Sequence, residues 1–232
     1  DKLKGRTVKC FSSTEKLDIW AENISLDENA RASFLLCTQD QKVPVTLALP
    51  GKHNVSNALI AAALTSEFDV SLEEIATALA TMGDVKGRVN LIKLTDSLTV
   101  IDDTYNANVK SVKAAIDLLS DIQGHRILAL GDMGELGEQA RTYHQEVGEY
   151  AKQQGIDELY TLGVLSKYAS DVFDKPNRHF SNREEMLKQI QTSLNNTNNK
   201  TTLVVKGSRS SRMELLVTDL VNGQQQAING VS

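Results

Sequence analysis

Three short stretches of this 232-residue chain gather residue types that handle nucleotides, amines or acids. The first, Asp102-Asp103-Thr104-Tyr105-Asn106-Ala107-Asn108, sets paired carboxylates beside an amide-rich run. Such carboxylates hold ribose hydroxyls, a metal or a substrate amine, and the same residue types also build turns and helix caps. The second, Gly131-Asp132-Met133-Gly134-Glu135-Leu136-Gly137, is glycine-rich like a dinucleotide loop. Its spacing is GxxGxxG rather than GxGxxG, and two acids stand where a pyrophosphate would approach, so it reads as a structural or substrate-facing loop. The third, Lys206-Gly207-Ser208-Arg209-Ser210-Ser211-Arg212, offers three cations and three hydroxyls at a helix start, a combination suited to a carboxylate or a phosphate. A fourth group, His53, Asn54 and Asn57 with Arg88 further along, adds amides whose paired donor and acceptor suit an adenine edge or, more plainly, a helix cap.

The elements that must position these residues divide the chain in two. Residues 7–11, 18–24, 33–38 and 43–49 are rich in β-formers and read as an antiparallel meander. A Pro50-Gly51 turn leads to an Ala/Leu-rich helix with Leu59, Ile60, Ala63 and Leu64 expected on its buried face. Ser71-Leu72-Glu73-Glu74 is a capping box announcing a second helix, carried on by Ile75, Ala78, Leu79 and Met82. The break at residues 83–87 marks the expected domain boundary. Beyond Leu91 the rhythm becomes strand, loop, helix, repeated, with strands expected at 98–101, 127–130, 158–162 and 202–205. That rhythm makes a mostly parallel sheet with helices on its faces, where ligands collect outside the carboxyl ends of the strands. Helical spacing runs through Val109, Val112, Ile116 and Leu119, and through Ala140, Tyr143, Val147 and Ala151. Two further capping boxes are expected, at Ser181-Asn182-Arg183-Glu184 and Ser211-Arg212-Met213-Glu214.

Composition sets the outer bounds. At 41% hydrophobic and 24% charged residues the chain is neither disordered nor a coiled coil. A net charge of -5 from 25 basic and 30 acidic residues gives no bulk attraction to nucleic acid. The longest apolar run, residues 58–64, is far short of the roughly 20 residues needed to cross a bilayer, so no membrane partner and a cytoplasmic setting are expected. Cys10 and Cys37 lack metal-ligand spacing and read as buried free thiols. His125, His144 and His179 stand isolated, so neither a triad nor a zinc site emerges and no metal ligand is assigned. The chain begins at Asp1 and runs straight into patterned sequence, which suggests that something lies upstream.

Taken in order, Gly51-Lys52-His53-Asn54-Val55-Ser56-Asn57-Ala58, Gly87-Arg88, Asp102 to Asn108, Gly131 to Gly137 and Lys206-Gly207-Ser208-Arg209-Ser210 resemble the Mur ligase family. The Tyr105-Asn106-Ala107-Asn108 version of the strand-exit loop is similar to members that join D-Ala-D-Ala to UDP-N-acetylmuramoyl-tripeptide. The resemblance implies an α/β chain: residues 1–86 as the back half of a central ATP-binding domain, and residues 87–232 as a Rossmann-like, acceptor-binding domain. It implies ATP and Mg2+ as cofactors, an acyl phosphate on the route to the amide, and a monomer. Arg88 and Asp103 would be catalytic. His53, Asn54, Asn57, Arg88, Asp102, Asp103, Tyr105 and Asn106 would serve the nucleotide, from both domains, so that closure assembles the site. Asn106, Asn108, Lys206, Ser208, Arg209, Ser210 and Ser211 would meet the acceptor. The family's phosphate-gripping G-x-x-x-x-G-K-[ST] is nowhere in the sequence, and the nearest string, Gly51-Lys52-His53, lacks its first glycine and its hydroxyl. The resemblance therefore implies that magnesium ligands lie mainly upstream and that this chain alone does not turn over ATP. The alternatives are a non-catalytic module binding a nucleotide or peptide, and a folylpolyglutamate-type or other Mur ligase.

Overall fold

A computed structural model describes residues 8–82, 86–174, 178–197 and 199–229. Thr7 of the first expected strand and residues 83–85 of the expected boundary lie outside them. The chain divides into two compact units, Asp1–Asp84 and Val85–Ser232.

In the first unit β1 (Phe11–Ser12), β2 (Ile19–Leu26), β3 (Arg31–Cys37) and β4 (Lys42–Pro50) form one sheet in that order. Strands β2 to β4 are the antiparallel meander that alternation predicts, but β1 runs parallel to β2. Alternate residues Ile19, Ala21, Ala32, Phe34, Leu36, Val45 and Leu47 are buried against α1 (His53–Thr65) and α2 (Leu72–Thr81). The Ser71 capping box is present, its hydroxyl accepting from the Glu74 amide while the Glu74 carboxylate accepts from Ser71 N–H. On α1 the buried face is Val55, Ala58, Leu59, Ala62 and Ala63, whereas Ile60 and Leu64 are exposed. Residues 58–64 are apolar on every side, so the sequence there marks no polar face to fix the helix's rotation, and the buried face is turned by part of a helical turn from the expected stripe. Cys37 is buried as expected; Cys10 is exposed, because the short β1 lies outside the core.

The second unit holds β5 (Asn90–Lys93), β6 (Leu98–Asp103), α3 (Val109–Ser120), β7 (His125–Gly131), α4 (Ala140–Gln153), β8 (Glu158–Leu162), α5 (Lys167–Val172), β9 (His179–Phe180), α6 (Arg183–Asn195), β10 (Thr201–Lys206) and α7 (Glu214–Asn229). The sheet order is β5-β6-β10-β7-β8-β9, parallel throughout except for β5, which pairs antiparallel with β6. Every residue of the central β10 is buried, as a strand covered on both faces requires. One face, with Val100, Ile127, Ala129, Leu203 and Val205, packs under α6 and α7. Ile101, Leu128, Leu130 and Val204, which alternate with them, are equally buried, and α3 packs on β7 and β10. Asn182, one residue later than expected, caps α6 by accepting from the Glu184 and Glu185 amides. The Ser211 capping box does not form. Ser211 ends a 3-10 turn (Arg209–Ser211), Arg212 turns left-handed at φ 51°, and α7 starts only at Glu214.

Candidate functional site

Topology gathers the chemically loaded loops. Strands β6, β10 and β7 are neighbours and parallel, so their exits, residues 102–108, 206–212 and 131–137, leave from the same sheet end. In the β10–β6 register Lys206 lies opposite Asp103. Its Nζ donates to Asp103 Oδ2 at 2.6 Å, to the Asn106 carbonyl at 2.8 Å and to the Asp103 carbonyl at 3.4 Å, with the Lys206 side chain only 2% exposed. An ammonium has three donors, and all three are taken. Lys206 is thus corrected from a cation facing a ligand to a strut that fixes the course of the 103–106 loop.

The other loop residues fall into place around this pair. Asp102 is buried, and its Oδ1 accepts from the Thr104 hydroxyl at 2.6 Å and amide at 3.2 Å, a tight local turn. Tyr105 is exposed, its amide donates to the Gly87 carbonyl at 2.9 Å, and the Arg88 guanidinium lies 4.5 Å over its ring. A side chain at Gly87, which sits at φ +74°, would crowd the Tyr105 amide at 3.1 Å. Asn106 is exposed, its Oδ1 accepting from the Ala107 amide. Asn108 is the N-cap of α3 and shares a capping box with Ser111, so its side-chain oxygen is engaged in the fold rather than offered to a ligand.

Ser208 is buried; its amide donates to the Asp132 carbonyl at 2.9 Å and its carbonyl accepts from Ser211 Oγ at 2.7 Å. Its hydroxyl pairs with Ser210 at 3.0 Å, Arg209 and Ser210 are exposed, and Ser211 is half-buried. Gly207 permits this close course: a Cβ there would lie 2.3 Å from Ser211 Oγ and 3.3 Å from Gly131 Cα. The acids of the glycine-rich loop have separate uses. Asp132 accepts the backbone N–H groups of Val164, Leu165 and Ser166 at 3.0, 3.0 and 2.7 Å, which holds the loop after β8.

A cavity of about 760 Å³ opens at this end of the second unit, lined by Lys86, Gly87, Asp102, Thr104, Tyr105, Asn106, Arg209 and Glu214. Glu214, read from sequence only as the end of a capping box, carries a buried Oε2 without a hydrogen-bond partner among the described residues. Its signal was an acid one turn after a cationic loop. Among the described residues no group of three or more His, Cys, Asp or Glu could hold a metal ion.

His144 supports the site from beneath. It is fully buried; Nδ1 donates to the Ala140 carbonyl at 2.7 Å and Nε2 accepts from the Met133 amide at 3.0 Å. The accepting Nε2 requires a neutral ring, and burial lowers the pKa below the ordinary imidazole value. The unfolded chain binds a proton near pH 6.5 that the folded ring refuses, so this contribution is present above that pH and is lost as the pH falls below it. We expect the stability advantage of wild type over His144→Gln to shrink between pH 7 and pH 5, read by urea unfolding at each pH. His179, also lowered by burial, is common to both proteins and cancels in the difference.

In the first unit Gly51, at φ +104°, turns the chain from β4 into α1, where any Cβ would strike the His53 ring at 2.5 Å. His53, half-buried, opens α1, whose N-cap is Lys52 without a side-chain hydrogen bond. Asn54 Nδ2 donates to the Pro50 carbonyl at 2.7 Å, and its Oδ1 accepts from the exposed Asn57 at 2.9 Å. The two amides border an apolar slot of about 70 Å³ with Leu47, Leu49, Ala58 and Met82.

A small sheet-and-helix unit, followed in sequence by a parallel sheet with a strand-exit site, has matching relatives. Residues 87–209 match the family described as Mur ligase, glutamate ligase domain, and residues 2–65 match the Mur ligase middle domain. The chain belongs to the Mur ligase family. Over 203 residues it is 37% identical to the UDP-N-acetylmuramoyl-tripeptide--D-alanyl-D-alanine ligase of Escherichia coli K12, covering 88% of this chain and 44% of that protein. The Buchnera aphidicola (Baizongia pistaciae) ligase of the same name is 36% identical over 94% of this chain and 46% of its own length. A crystal structure of MurF from Acinetobacter baumannii superposes with a TM-score of 0.85 at 31% identity, over 94% of this chain and 48% of that one. A Thermotoga maritima MurF ligase solved with ADP shares the fold, with a TM-score of 0.78 at 19% identity over 94% of this chain and 49% of that one. The chain spans about half the length of the curated relatives it matches.

Proposed function

We propose that this chain is part of an ATP-dependent amide ligase that joins D-Ala-D-Ala to UDP-N-acetylmuramoyl-tripeptide in the assembly of peptidoglycan precursors. The observation that carries the reading is the 102–106 loop, pinned by Lys206 beside the Arg209–Glu214 cavity, in a chain of the Mur ligase family. In this reading residues 1–86 are the back of the ATP-binding domain and residues 87–232 the acceptor-binding domain of a cytoplasmic monomer. No helix among the described residues is long and apolar enough to cross a membrane.

The chemistry asks for charge stabilisation and positioning rather than a covalent enzyme intermediate. The γ-phosphoryl group of ATP passes to the terminal carboxylate of the tripeptide, the dipeptide amine attacks the acyl phosphate, and phosphate leaves. The apolar slot edged by Asn54 and Asn57 takes the flat adenine, with His53 at its helix start. Asp103 and Arg88 serve the ribose and phosphates, while Asp102, Tyr105 and Asn106 shape the surrounding wall. Arg209 and Ser210, the exposed members of the 206–211 loop, take the acceptor carboxylate. In this reading these residues serve the base and ribose, while the phosphate-gripping loop, whose G-x-x-x-x-G-K-[ST] pattern the sequence lacks, and the magnesium ligands belong to the remainder of the ligase.

The test is phosphate release by the full-length gene product with ATP. Release that needs both the UDP-tripeptide and D-Ala-D-Ala is expected; release with another acceptor, such as glutamate, in place of the dipeptide would reassign the substrate class.

A further inference from the structure

We propose that Glu214 recognises the ammonium end of the acceptor dipeptide, an inference that rests on the ligase reading above. A buried carboxylate oxygen without a donor is costly, and Glu214 Oε2 is such an atom in the wall of a cavity large enough for a dipeptide. The neighbouring charges do not relieve it. Lys206 has spent its three donors on Asp103 and Asn106, and the Thr104 hydroxyl is given to Asp102. Arg209 and Lys86 line the same cavity, are exposed, and form no ion pair among the described residues.

The cavity thus presents one carboxylate oxygen lacking a donor and, in Arg209 and Lys86, exposed cations on the same wall, a set that can take the ammonium and the carboxylate of one molecule. Of the reactants, ATP and the reacting tripeptide carboxylate bring negative charge, which Glu214 repels. The dipeptide brings an ammonium beside its own carboxylate. Glu214 then holds the amine end while Arg209 holds the carboxylate, which orients the nucleophile before attack. The competing occupant of the same chemistry is an amine on the tripeptide.

Steady-state kinetics of the full-length gene product separate these cases. In Glu214→Gln the KM for D-Ala-D-Ala should rise about 10- to 100-fold, the range for losing a hydrogen bond to a charged group, with the KM values for ATP and UDP-tripeptide within about twofold of wild type. A rise in the UDP-tripeptide KM instead would overturn the assignment in favour of the tripeptide amine. Propionyl-D-Ala, which keeps the shape of the dipeptide but lacks its amine, tests the idea without any variant. Wild type should bind it at least about tenfold more weakly than D-Ala-D-Ala, and equal binding would overturn the proposal even if Glu214→Gln fails to fold. Normal turnover with unchanged acceptor KM in the variant removes only the Glu214 assignment. Wild type that makes no product from D-Ala-D-Ala removes the ligase reading, and this proposal with it.

Discussion

Asp103→Ala should unfold at markedly lower urea than wild type, with a loss of about 3–5 kcal/mol, because it strands the buried Lys206 ammonium. The resemblance to the family casts Asp103 as a catalytic group. In the structure its carboxylate is 2.6 Å from a lysine that is 2% exposed, and that lysine also ties down the Asn106 carbonyl. Pairing the change with Lys206→Met should recover much of the loss, since a buried apolar side chain replaces a buried charge without a partner. Urea unfolding of the two single variants and the double variant measures the coupling directly. A loss below about 0.5 kcal/mol in Asp103→Ala would mean that the pair is not buried as described. Loss of activity in this variant is accordingly ambiguous, and Asp103→Asn, which keeps an acceptor for Lys206, is the cleaner probe of chemistry.

Arg88→Ala should act in the opposite way, large on turnover and small on stability. Arg88 is exposed and stacks on the exposed Tyr105 ring, an interaction worth about 0.5–1 kcal/mol at such a site. In the proposed function it lies over the phosphates, where a guanidinium would stabilise charge that builds in the transition state, and removing one such donor costs about 100- to 1,000-fold in kcat. Rates and unfolding curves of the full-length gene product give both quantities. Near-normal kcat with intact folding would remove Arg88 from the nucleotide site.

Much of this was legible in the sequence because the responsible signals are local. Alternation and punctuation located β6, β7, β8 and β10 to within a residue or two at most ends, and Ser71-x-x-Glu74 located the start of α2. What escaped depends on long-range pairing. The two-residue β9 and the antiparallel β5 are too short or too weakly patterned to stand out, and the parallel partner of β1 is a matter of register rather than composition. At the site, residue types identified the loops, but nothing in the spacing of Lys206 and Asp103, 103 residues apart, says that they pair. The same long-range packing separated an exposed cation, Arg209, from a buried and paired one, Lys206, and put Glu214, expected as part of a cap, in a cavity wall. His144, isolated in sequence, gained its use only when α4 brought it under the Met133 amide.

The most direct test of the central claim follows an oxygen atom. The full-length gene product is given ATP, D-Ala-D-Ala and UDP-tripeptide in which both oxygens of the terminal carboxylate are 18O. Ligation through an acyl phosphate should yield the UDP-pentapeptide and leave one labelled oxygen in each phosphate released. Unlabelled phosphate alongside the same product would contradict the acyl phosphate, and no pentapeptide with all three substrates present would contradict the ligase itself.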